Sequence, residues 1–279
     1  MTRRVLVTGA SGFIGRHVLG PLLERGYEVH AVGRGSAPGL PDGVRWHAAD
    51  LLDAPAVRGL VAGVGPTHLL HLAWYVEHGR FWHSAENLRW VGASLELARA
   101  FHEAGGSRAV FAGTCAEYAW EHGVCRENDT PVAPATLYGM CKDAVRRVAE
   151  AYGRDGGPSL AWGRIFFLYG PGEAAGRLVP SVVGALLRGE LARCTHGEQV
   201  RDFMHVSDVA GAFAALLDAP VEGVVNVASG EPVRIRDVVA VLGEEAGRPD
   251  LVRLGALSAA PGDPAVLTAD VRRLREEVG

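Results

Sequence analysis

Apolar residues along this chain follow two alternating patterns. Short apolar runs, typical of buried strands, occupy residues 4–8, 29–32, 44–47, 68–73, 108–112 and 159–166. Longer stretches with apolar residues at helical spacing lie between them, the longest at residues 87–104 and 136–152. Because parallel strands need a crossover connection, usually a helix, this alternation predicts an α/β fold with a doubly wound parallel sheet.

A glycine-rich turn joins the first strand to the first helix, with the spacing GxxGxxG. The turn contains Gly9, Ser11, Gly12, Phe13, Ile14 and Gly15. Glycines let the backbone approach a pyrophosphate closely, and the helix N-terminus offers free N–H groups to the phosphates. Strand, glycine turn and helix in this order predict a Rossmann-type sheet, and we expect these six residues to bind a dinucleotide.

The end of the second strand distinguishes NAD(H) from NADP(H). Binders of NAD usually place Asp or Glu there, which accepts a hydrogen bond from the ribose 2′-hydroxyl. This chain has Gly33 and Arg34 instead, and Arg34 can pair with a 2′-phosphate. We therefore expect NADP(H), with NAD(H) as the alternative. A surface arginine in a loop is the other interpretation of Arg34.

Two further stretches are placed to contact the cofactor. Asp50 and Leu51 follow the third strand, where Asp50 either caps the next turn or accepts from the adenine amino group. Leu72 and Ala73 end the fourth strand, and the small Ala73 leaves room for a cofactor. We therefore include these four residues in the expected cofactor site.

Tyr138 and Lys142 are the most informative pair in the chain. Four residues apart on a predicted helix, their side chains lie on one face. A free tyrosine has a pKa of about 10, and an ammonium held beside it lowers that pKa. The pair can then exchange a proton near neutral pH, as carbonyl–alcohol chemistry requires. The spacing alone also fits a solvated helix face.

Other candidates stand at the carboxyl ends of strands, where parallel α/β sheets bind ligands. Thr114 can offer its hydroxyl to a substrate oxygen or serve as a turn residue, and Cys115 beside it is expected to be a packed thiol near the substrate. The aromatic loop that begins at Trp74 either walls the substrate pocket or plugs a domain edge. Trp74 and Cys115 are thus candidate substrate contacts.

The regular alternation of strands and helices weakens after residue 166. Residues 224–227 are typical of a strand that returns to the main sheet, and Ser207 fits the N-cap of a helix that starts beside it. A further helix is expected near residues 235–246, followed by a proline-rich tail. We expect a dinucleotide-binding Rossmann domain of residues 1–166, to which 206–228 return, and a small, discontinuous C-terminal substrate-binding domain of residues 167–205 and 229–279.

Composition excludes several classes of function. The 279 residues are 48% apolar and 22% charged, with a net charge of −4 and no basic block, which argues against nucleic-acid binding. No apolar run approaches membrane-spanning length, and the first apolar stretch turns into the glycine loop, unlike a signal peptide. The four cysteines lack the spacing of metal ligands, so we expect no metal site and free thiols in the cytoplasm.

These motifs together resemble the extended short-chain dehydrogenase/reductases of the NAD(P)-dependent epimerase/dehydratase family, over nearly the whole chain. The matching stretches are Thr8–Gly15, Asp50-Leu51, His71-Leu72-Ala73, Asn87, Phe111–Thr114, Tyr138–Lys142, Tyr169-Gly170-Pro171, Arg201–Val209 and Asn226–Gly230. The resemblance implies a catalytic triad of Thr114, Tyr138 and Lys142, in which tyrosine is the acid/base and lysine also holds the nicotinamide ribose. It further implies a nucleotide-activated sugar as substrate, and a homodimer formed through the two longest helices.

Two departures from the family pattern bear on the substrate. Phe167 stands where many sugar-nucleotide members carry an asparagine that contacts the substrate diphosphate, and the second domain is short. Arg177 and Arg201 remain available as phosphate clamps, or are surface charges. A smaller or less polar substrate is therefore an alternative.

Our hypothesis is an NADPH-dependent ketoreductase. The resemblance implies its substrate class, a nucleotide-linked 4-keto-6-deoxysugar, as in deoxysugar biosynthesis. A nucleotide-sugar 4-epimerase is the nearest alternative, and the pair Gly33-Arg34 argues mildly against it because such enzymes usually carry the acidic residue of NAD binders. Reduction of an aromatic or polyketide ketone is a second alternative, prompted by Phe167. A cofactor-sensing regulator is a third, although such proteins tend to lose the tyrosine and lysine.

Overall fold

The computed structural model of the protein describes residues 2–36 and 39–279. Its strands in chain order are β1 (Arg4–Thr8), β2 (Glu28–Gly33), β3 (Arg45–Ala48), β4 (His68–His71), β5 (Arg108–Thr114), β6 (Val124–Cys125), β7 (Ser159–Ile165), β8 (Phe167–Tyr169), β9 (Ala192–Arg193), β10 (Val200–His205), β11 (Gly223–Val227), β12 (Pro232–Arg234), β13 (Val252–Arg253) and β14 (Val266–Ala269). Its α-helices are α1 (Gly15–Glu24), α2 (Ala54–Val64), α3 (Glu86–Glu103), α4 (Leu137–Arg154), α5 (Leu178–Leu187), α6 (Val206–Asp218) and α7 (Ile235–Glu245).

Seven parallel strands form the main sheet, in the order β3-β2-β1-β4-β5-β7-β11. The six expected strands and the returning strand near residues 224–227 are all in it, so the doubly wound α/β prediction is confirmed. The winding reverses between β1 and β4, because β2 and β3 extend the sheet on one side of β1 and β4 on the other. Ligands of such sheets bind outside the carboxyl ends of the strands at this point.

Helices cover both faces of the main sheet. Successive side chains of β1 point alternately to the two faces and pack against different helices. Val5 and Val7 point to the face covered by α1 and α6, where they join a core with Val18 and Phe213. Leu6 points to the opposite face, covered by α2, α3 and α4. Strands buried on both faces read as continuous apolar runs, which is the pattern seen in the sequence.

A second, smaller sheet lies beyond the main one. Its order is β12-β10-β14-β6, and β8 pairs with the second half of β10. The proline-rich tail after α7 supplies β14 to this sheet. Helices α5 and α7 pack together beside the two-stranded pair of β9 and β13. The proposed division into two domains stays a prediction.

The expected cap of α6 is wrong by two residues. The helix begins at Val206, and its N-cap is His205, whose Nδ1 accepts from the Ser207 N–H at 3.3 Å. The Ser207 hydroxyl lies 2.7 Å from the same nitrogen, so Ser207 contacts the N-cap residue but is not itself the N-cap. Within residues 2–36 and 39–279, no helix combines the length and the apolar character needed to cross a bilayer.

Candidate active site

A cleft of about 840 Å³ opens at the carboxyl ends of the main strands. Every residue named above as a candidate for catalysis, cofactor binding or substrate binding lines this cleft. Its size is within the range of small-molecule sites. The fold therefore brings together residues that lie between positions 9 and 201 of the chain, while their individual roles stay predictions.

The glycine turn is shaped by close backbone contacts. Gly9 has φ +68°, and a Cβ there would lie 2.8 Å from the Ala73 nitrogen at the end of β4. A Cβ on Gly15 would lie 2.1 Å from the Gly9 carbonyl oxygen, so neither position accepts a side chain. The Gly12 N–H closes the turn on the Gly9 oxygen at 2.9 Å. The start of α1 thereby faces the cleft, where its dipole favours an anion.

Trp46, which the sequence analysis did not single out, occupies the space beside Gly33. A Cβ on Gly33 would lie 2.7 Å from the Trp46 ring. The indole is fixed because its Nε1 donates to the Gly35 oxygen at 2.7 Å. An acidic side chain at position 33 therefore does not fit, and Arg34 projects from this loop as an exposed residue that borders the cleft.

Asp50 has the role of a turn residue in the protein. Its Oδ1 accepts from the Leu52 N–H at 3.0 Å, which is one of the two interpretations drawn from the sequence. The N-cap of α2 is the later Asp53, whose Oδ1 accepts from Ala56 N–H at 3.2 Å. A contact of Asp50 with adenine stays a prediction.

Thr114 stands at the end of β5 and also caps the short helical turn that follows it. Its Oγ1 accepts from the Ala116 N–H at 3.2 Å, and its own N–H donates to Glu117 Oε1 at 2.9 Å. The hydroxyl proton can still be donated to another acceptor. Thr114 is therefore a turn residue whose hydroxyl can also be offered to a substrate oxygen, so the two interpretations drawn from the sequence are compatible.

Glu117 forms a buried charge network that sequence reasoning missed. It is fully buried and accepts from Trp162 Nε1 at 2.9 Å and from Arg164 Nε at 2.7 Å. Arg164 is itself 1% exposed, and its guanidinium lies 4.1 Å from the ring centroid of Tyr118. The signal in the sequence was an arginine inside the apolar strand at residues 159–166, because a buried cation requires a buried anion.

Tyr138 lies in an aromatic enclosure. Its ring contacts Phe81, Trp82 and Trp74 edge to face, with centroid distances of 4.9, 5.7 and 6.4 Å. Trp74 therefore lies in the wall of the cleft, and its contact with a substrate stays a prediction. Burial raises the pKa of the Tyr138 phenol, and the Thr114 hydroxyl beside it acts in the opposite direction. Tyr138 is thus a protonated group at neutral pH.

Lys142 shares the buried face of α4 with Tyr138, as the spacing predicted. Its Nζ donates to the Ala112 oxygen at 2.9 Å and lies 4.0 Å from the centroid of Trp74. Burial lowers the pKa of Lys142 to about 7, against the attraction of Glu117. The expected lowering of the tyrosine pKa by this ammonium is not seen, because the amine is directed at the strand and the indole.

Cys115 and Arg201 both line the cleft and are both buried. Cys115 is a packed thiol, as expected, and burial raises its pKa to about 12. Arg201 is 2% exposed and donates to Asp263 Oδ1 at 2.6 Å, so its interpretation as a surface charge is wrong. Its guanidinium also lies 5.3 Å from the centroid of Phe167.

Arg177 and Phe167 also line the cleft. Arg177 is partly exposed, and its Nε lies 3.7 Å from Glu173 Oε1. The Phe167 ring packs against Phe203 with a centroid distance of 5.8 Å. One cation is thus open to a ligand, while the other, Arg201, is neutralised within the protein.

Residues 5–228 of the chain match the NAD dependent epimerase/dehydratase family. The dTDP-4-dehydro-6-deoxy-D-allose reductase of Streptomyces bikiniensis is 30% identical over 286 residues, which cover 94% of this chain and 85% of the relative. The UDP-glucose 4-epimerase of Streptomyces lividans is 26% identical over 307 residues, covering 100% of this chain and 91% of the relative.

Solved structures agree with this match. MoeE5 in complex with UDP-glucuronic acid and NAD is 33% identical with a TM-score of 0.84, covering 99% of this chain and 92% of that chain. The family is one of NAD(P)-dependent oxidoreductases and epimerases, and its match covers most of this chain. The protein therefore belongs to the NAD dependent epimerase/dehydratase family, the extended short-chain dehydrogenase/reductases that its sequence resembles.

Proposed function

We propose that the protein is an NADPH-dependent ketoreductase that acts on a nucleotide-activated 4-keto-6-deoxysugar. The observation that carries this proposal is the placement of Tyr138, Lys142 and Thr114 in one cleft with the glycine turn. The similarity to a dTDP-4-dehydro-6-deoxy-D-allose reductase supports the substrate class. The aromatic walls around Tyr138 fit a sugar that has lost polar hydroxyl groups.

The residues of the cleft have complementary roles in this reaction. When bound, the nicotinamide supplies a hydride to the keto carbon. Tyr138, protonated at neutral pH because of its burial, donates its proton to the oxygen that develops negative charge. Thr114 donates a hydrogen bond to the same oxygen from its fixed place at the end of β5. Lys142 orients the cofactor from its buried place on the same face of α4 as Tyr138.

NADP(H) is the proposed cofactor because the residues beside the expected ribose site fit it. No carboxylate stands at position 33, where the Trp46 ring fills the space. Arg34 is exposed at the rim of the cleft and can pair with a 2′-phosphate. Titration with NADPH and NADH tests this part of the proposal, and tighter binding of NADH would contradict it.

A nucleotide-sugar 4-epimerase is the second candidate, favoured by the similarity to UDP-glucose 4-epimerases. Such an enzyme oxidises and reduces the same carbon and consumes no cofactor. The tryptophans around Tyr138, together with Phe167, instead favour the third candidate, a reductase of aromatic or polyketide ketones. The three candidates differ in whether NADPH is consumed and on which substrate.

The experiment that tests the proposal measures NADPH oxidation with dTDP-4-keto-6-deoxyglucose and analyses the product by mass spectrometry. We expect stoichiometric oxidation and a product two hydrogens heavier. Tyr138→Phe should lower turnover by about two to four orders of magnitude while cofactor binding stays close to wild type. Turnover near the wild-type rate in that variant would contradict the proposed proton transfer. Recovery of unchanged substrate, with no oxidation of NADPH, would favour the other candidates.

We also propose that the protein is a homodimer that pairs through α3 and α4. Three large apolar side chains are exposed on these helices, namely Leu88 on α3, and Met140 and Val148 on α4, at 60%, 57% and 50%. Exposed apolar residues on two helices that pack side by side fit an interface between copies. Light scattering behind size-exclusion chromatography distinguishes a dimer from a monomer by mass.

A further inference from the structure

Glu173 is a buried carboxylate whose charge the proposed mechanism does not use. It follows the turn of Tyr169, Gly170, Pro171 and Gly172, and its side chain is 6% exposed. Within residues 2–36 and 39–279, its Oε2 has no hydrogen-bond partner. The residue lines the same cleft as Tyr138. A buried acceptor that is left unpaired costs free energy, and a hydrogen-bond donor on a ligand would remove that cost.

Among the described residues, none stands close enough to Glu173 Oε2 to act as that donor. The nearest cation, Arg177, lies 3.7 Å away on the side of Oε1, which is beyond hydrogen-bond distance. The segment is held in place because Gly176 packs against the ring of His78, where an added Cβ would lie 2.8 Å from Cδ2. Glu173 is also not a cap of α5, since the N-cap is Arg177 and makes no side-chain contact of that kind.

Electrostatics restrict which part of a ligand can meet this oxygen. Burial raises the pKa of Glu173 above its ordinary value, although the charge of Arg177 beside it acts in the opposite direction. In its ionised form the carboxylate presents Oε2 only as an acceptor. A phosphate placed against it would be repelled, because like charges at short range are costly. Glu173 and Arg177 line the same cleft as Tyr138, so a ligand held in the cleft can contact them.

We propose that Glu173 Oε2 accepts a hydrogen bond from a hydroxyl group on the sugar ring of the substrate. This inference rests on the proposed function, since it assumes a sugar-linked ligand. Glu173 thereby selects substrates that carry a hydroxyl donor on the sugar ring, while the aromatic walls select the apolar face of the ring. Recognition by a charged acceptor discriminates more strongly than an apolar wall does, because a ligand without the hydroxyl leaves the carboxylate unpaired.

Two variants separate the hydrogen bond from the charge. Glu173→Gln and Glu173→Leu both remove the negative charge and both free Arg177, but only glutamine keeps an oxygen that can accept from a hydroxyl. Glu190→Leu is the matched control, because Glu190 is an exposed carboxylate at the other end of α5, paired with Arg188. The affinity of each variant for NADPH reports whether the cofactor half of the protein remains folded.

The measurement is calorimetric titration of the NADPH-bound protein with dTDP-glucose and, separately, with dTDP. We expect Glu173→Leu to bind dTDP-glucose about tenfold to a hundredfold more weakly than wild type. Glu173→Gln should lose markedly less than Glu173→Leu. The affinity for dTDP should not fall in either variant and should change by the same factor in both, because dTDP lacks the glucose ring. The Glu190→Leu variant should match wild type with both ligands.

Three outcomes would overturn the inference. The first is equal binding of dTDP-glucose by Glu173→Gln and Glu173→Leu. The second is a parallel loss of dTDP affinity in Glu173→Leu. The third is wild-type protein that binds dTDP-glucose no more tightly than dTDP. The proposed reductase activity is tested separately, by NADPH oxidation. If no oxidation is seen, the binding comparison can still be interpreted, because an epimerase also binds the sugar nucleotide.

Discussion

Replacing Glu117 by glutamine tests whether the buried charge network below the active site stabilises the fold. Glu117 and Arg164 are 0% and 1% exposed and meet at 2.7 Å. Glutamine keeps the shape and an oxygen that can accept from the Thr114 N–H and from Trp162. The variant therefore removes the charge while it preserves most of the geometry, and Arg164 is left as a buried cation without an anion.

The size of the effect follows from this burial. Removing one partner of a buried ion pair costs about 3–5 kcal/mol, because the remaining charge stays desolvated. The entropy of unfolding is about 2.1 cal/mol/K per residue, or roughly 0.6 kcal/mol/K for this chain of 279 residues. We therefore expect Glu117→Gln to lower the melting temperature by about 5–8 °C.

Scanning calorimetry measures this shift, and a second variant identifies its cause. In Glu117→Gln/Arg164→Met both charges are absent, so we expect the double variant to melt at a higher temperature than Glu117→Gln alone. A melting temperature of Glu117→Gln within about 1 °C of wild type would refute the reasoning. A double variant less stable than the single one would show that Arg164 acts through its packing on Tyr118, not through its charge.

Three further predictions concern catalysis, the cofactor and pH. Thr114→Val should lower kcat by about a hundredfold, because it removes the hydroxyl and keeps the shape, and Thr114→Ser should restore most of it in steady-state assays. Gly33→Asp should weaken NADPH and NADH binding by roughly tenfold, since it clashes with Trp46, whereas adding Trp46→Ala should recover NADH binding selectively in titrations. Burial lowers the pKa of His71 to about 3, so the unfolded chain takes up its proton near pH 6.5 and the native protein does not. The stability that His71 contributes is therefore present above pH 6.5 and declines by about 1.4 kcal/mol per unit as the pH falls toward 3, and urea unfolding should show a shallower decline in His71→Gln.

The strands and the candidate residues of the cleft could be predicted because their signals are local. An apolar run marks a strand buried on both faces, and the residues just after such runs meet at one edge of the sheet. The glycine turn and the spacing of Tyr138 and Lys142 are short-range patterns of the same kind. Positions in the sequence therefore located the cleft without any knowledge of contacts.

The features that the sequence did not reveal depend on contacts between distant residues. The pairing of Glu117 with Arg164 joins positions 47 residues apart, and that of Arg201 with Asp263 joins positions 62 apart. The direction of the Lys142 amine depends on Ala112 and on Trp74, which lie on other elements. Helical spacing places a side chain on a face, but the partners on neighbouring elements decide what the side chain contacts.

The position of β14 has a consequence for the order in which the protein is completed during synthesis. Through Val266 and Leu267 it pairs with β10, and through Thr268 and Ala269 it pairs with β6. The ribosome releases the strands of the main sheet, which end at Val227, well before it releases β14. A nascent chain is thus expected to assemble the cofactor side of the cleft first, with the edges of β6 and β10 unpaired. Until β14 emerges, those unpaired strand edges are the part of the nascent protein to which we expect a chaperone to bind.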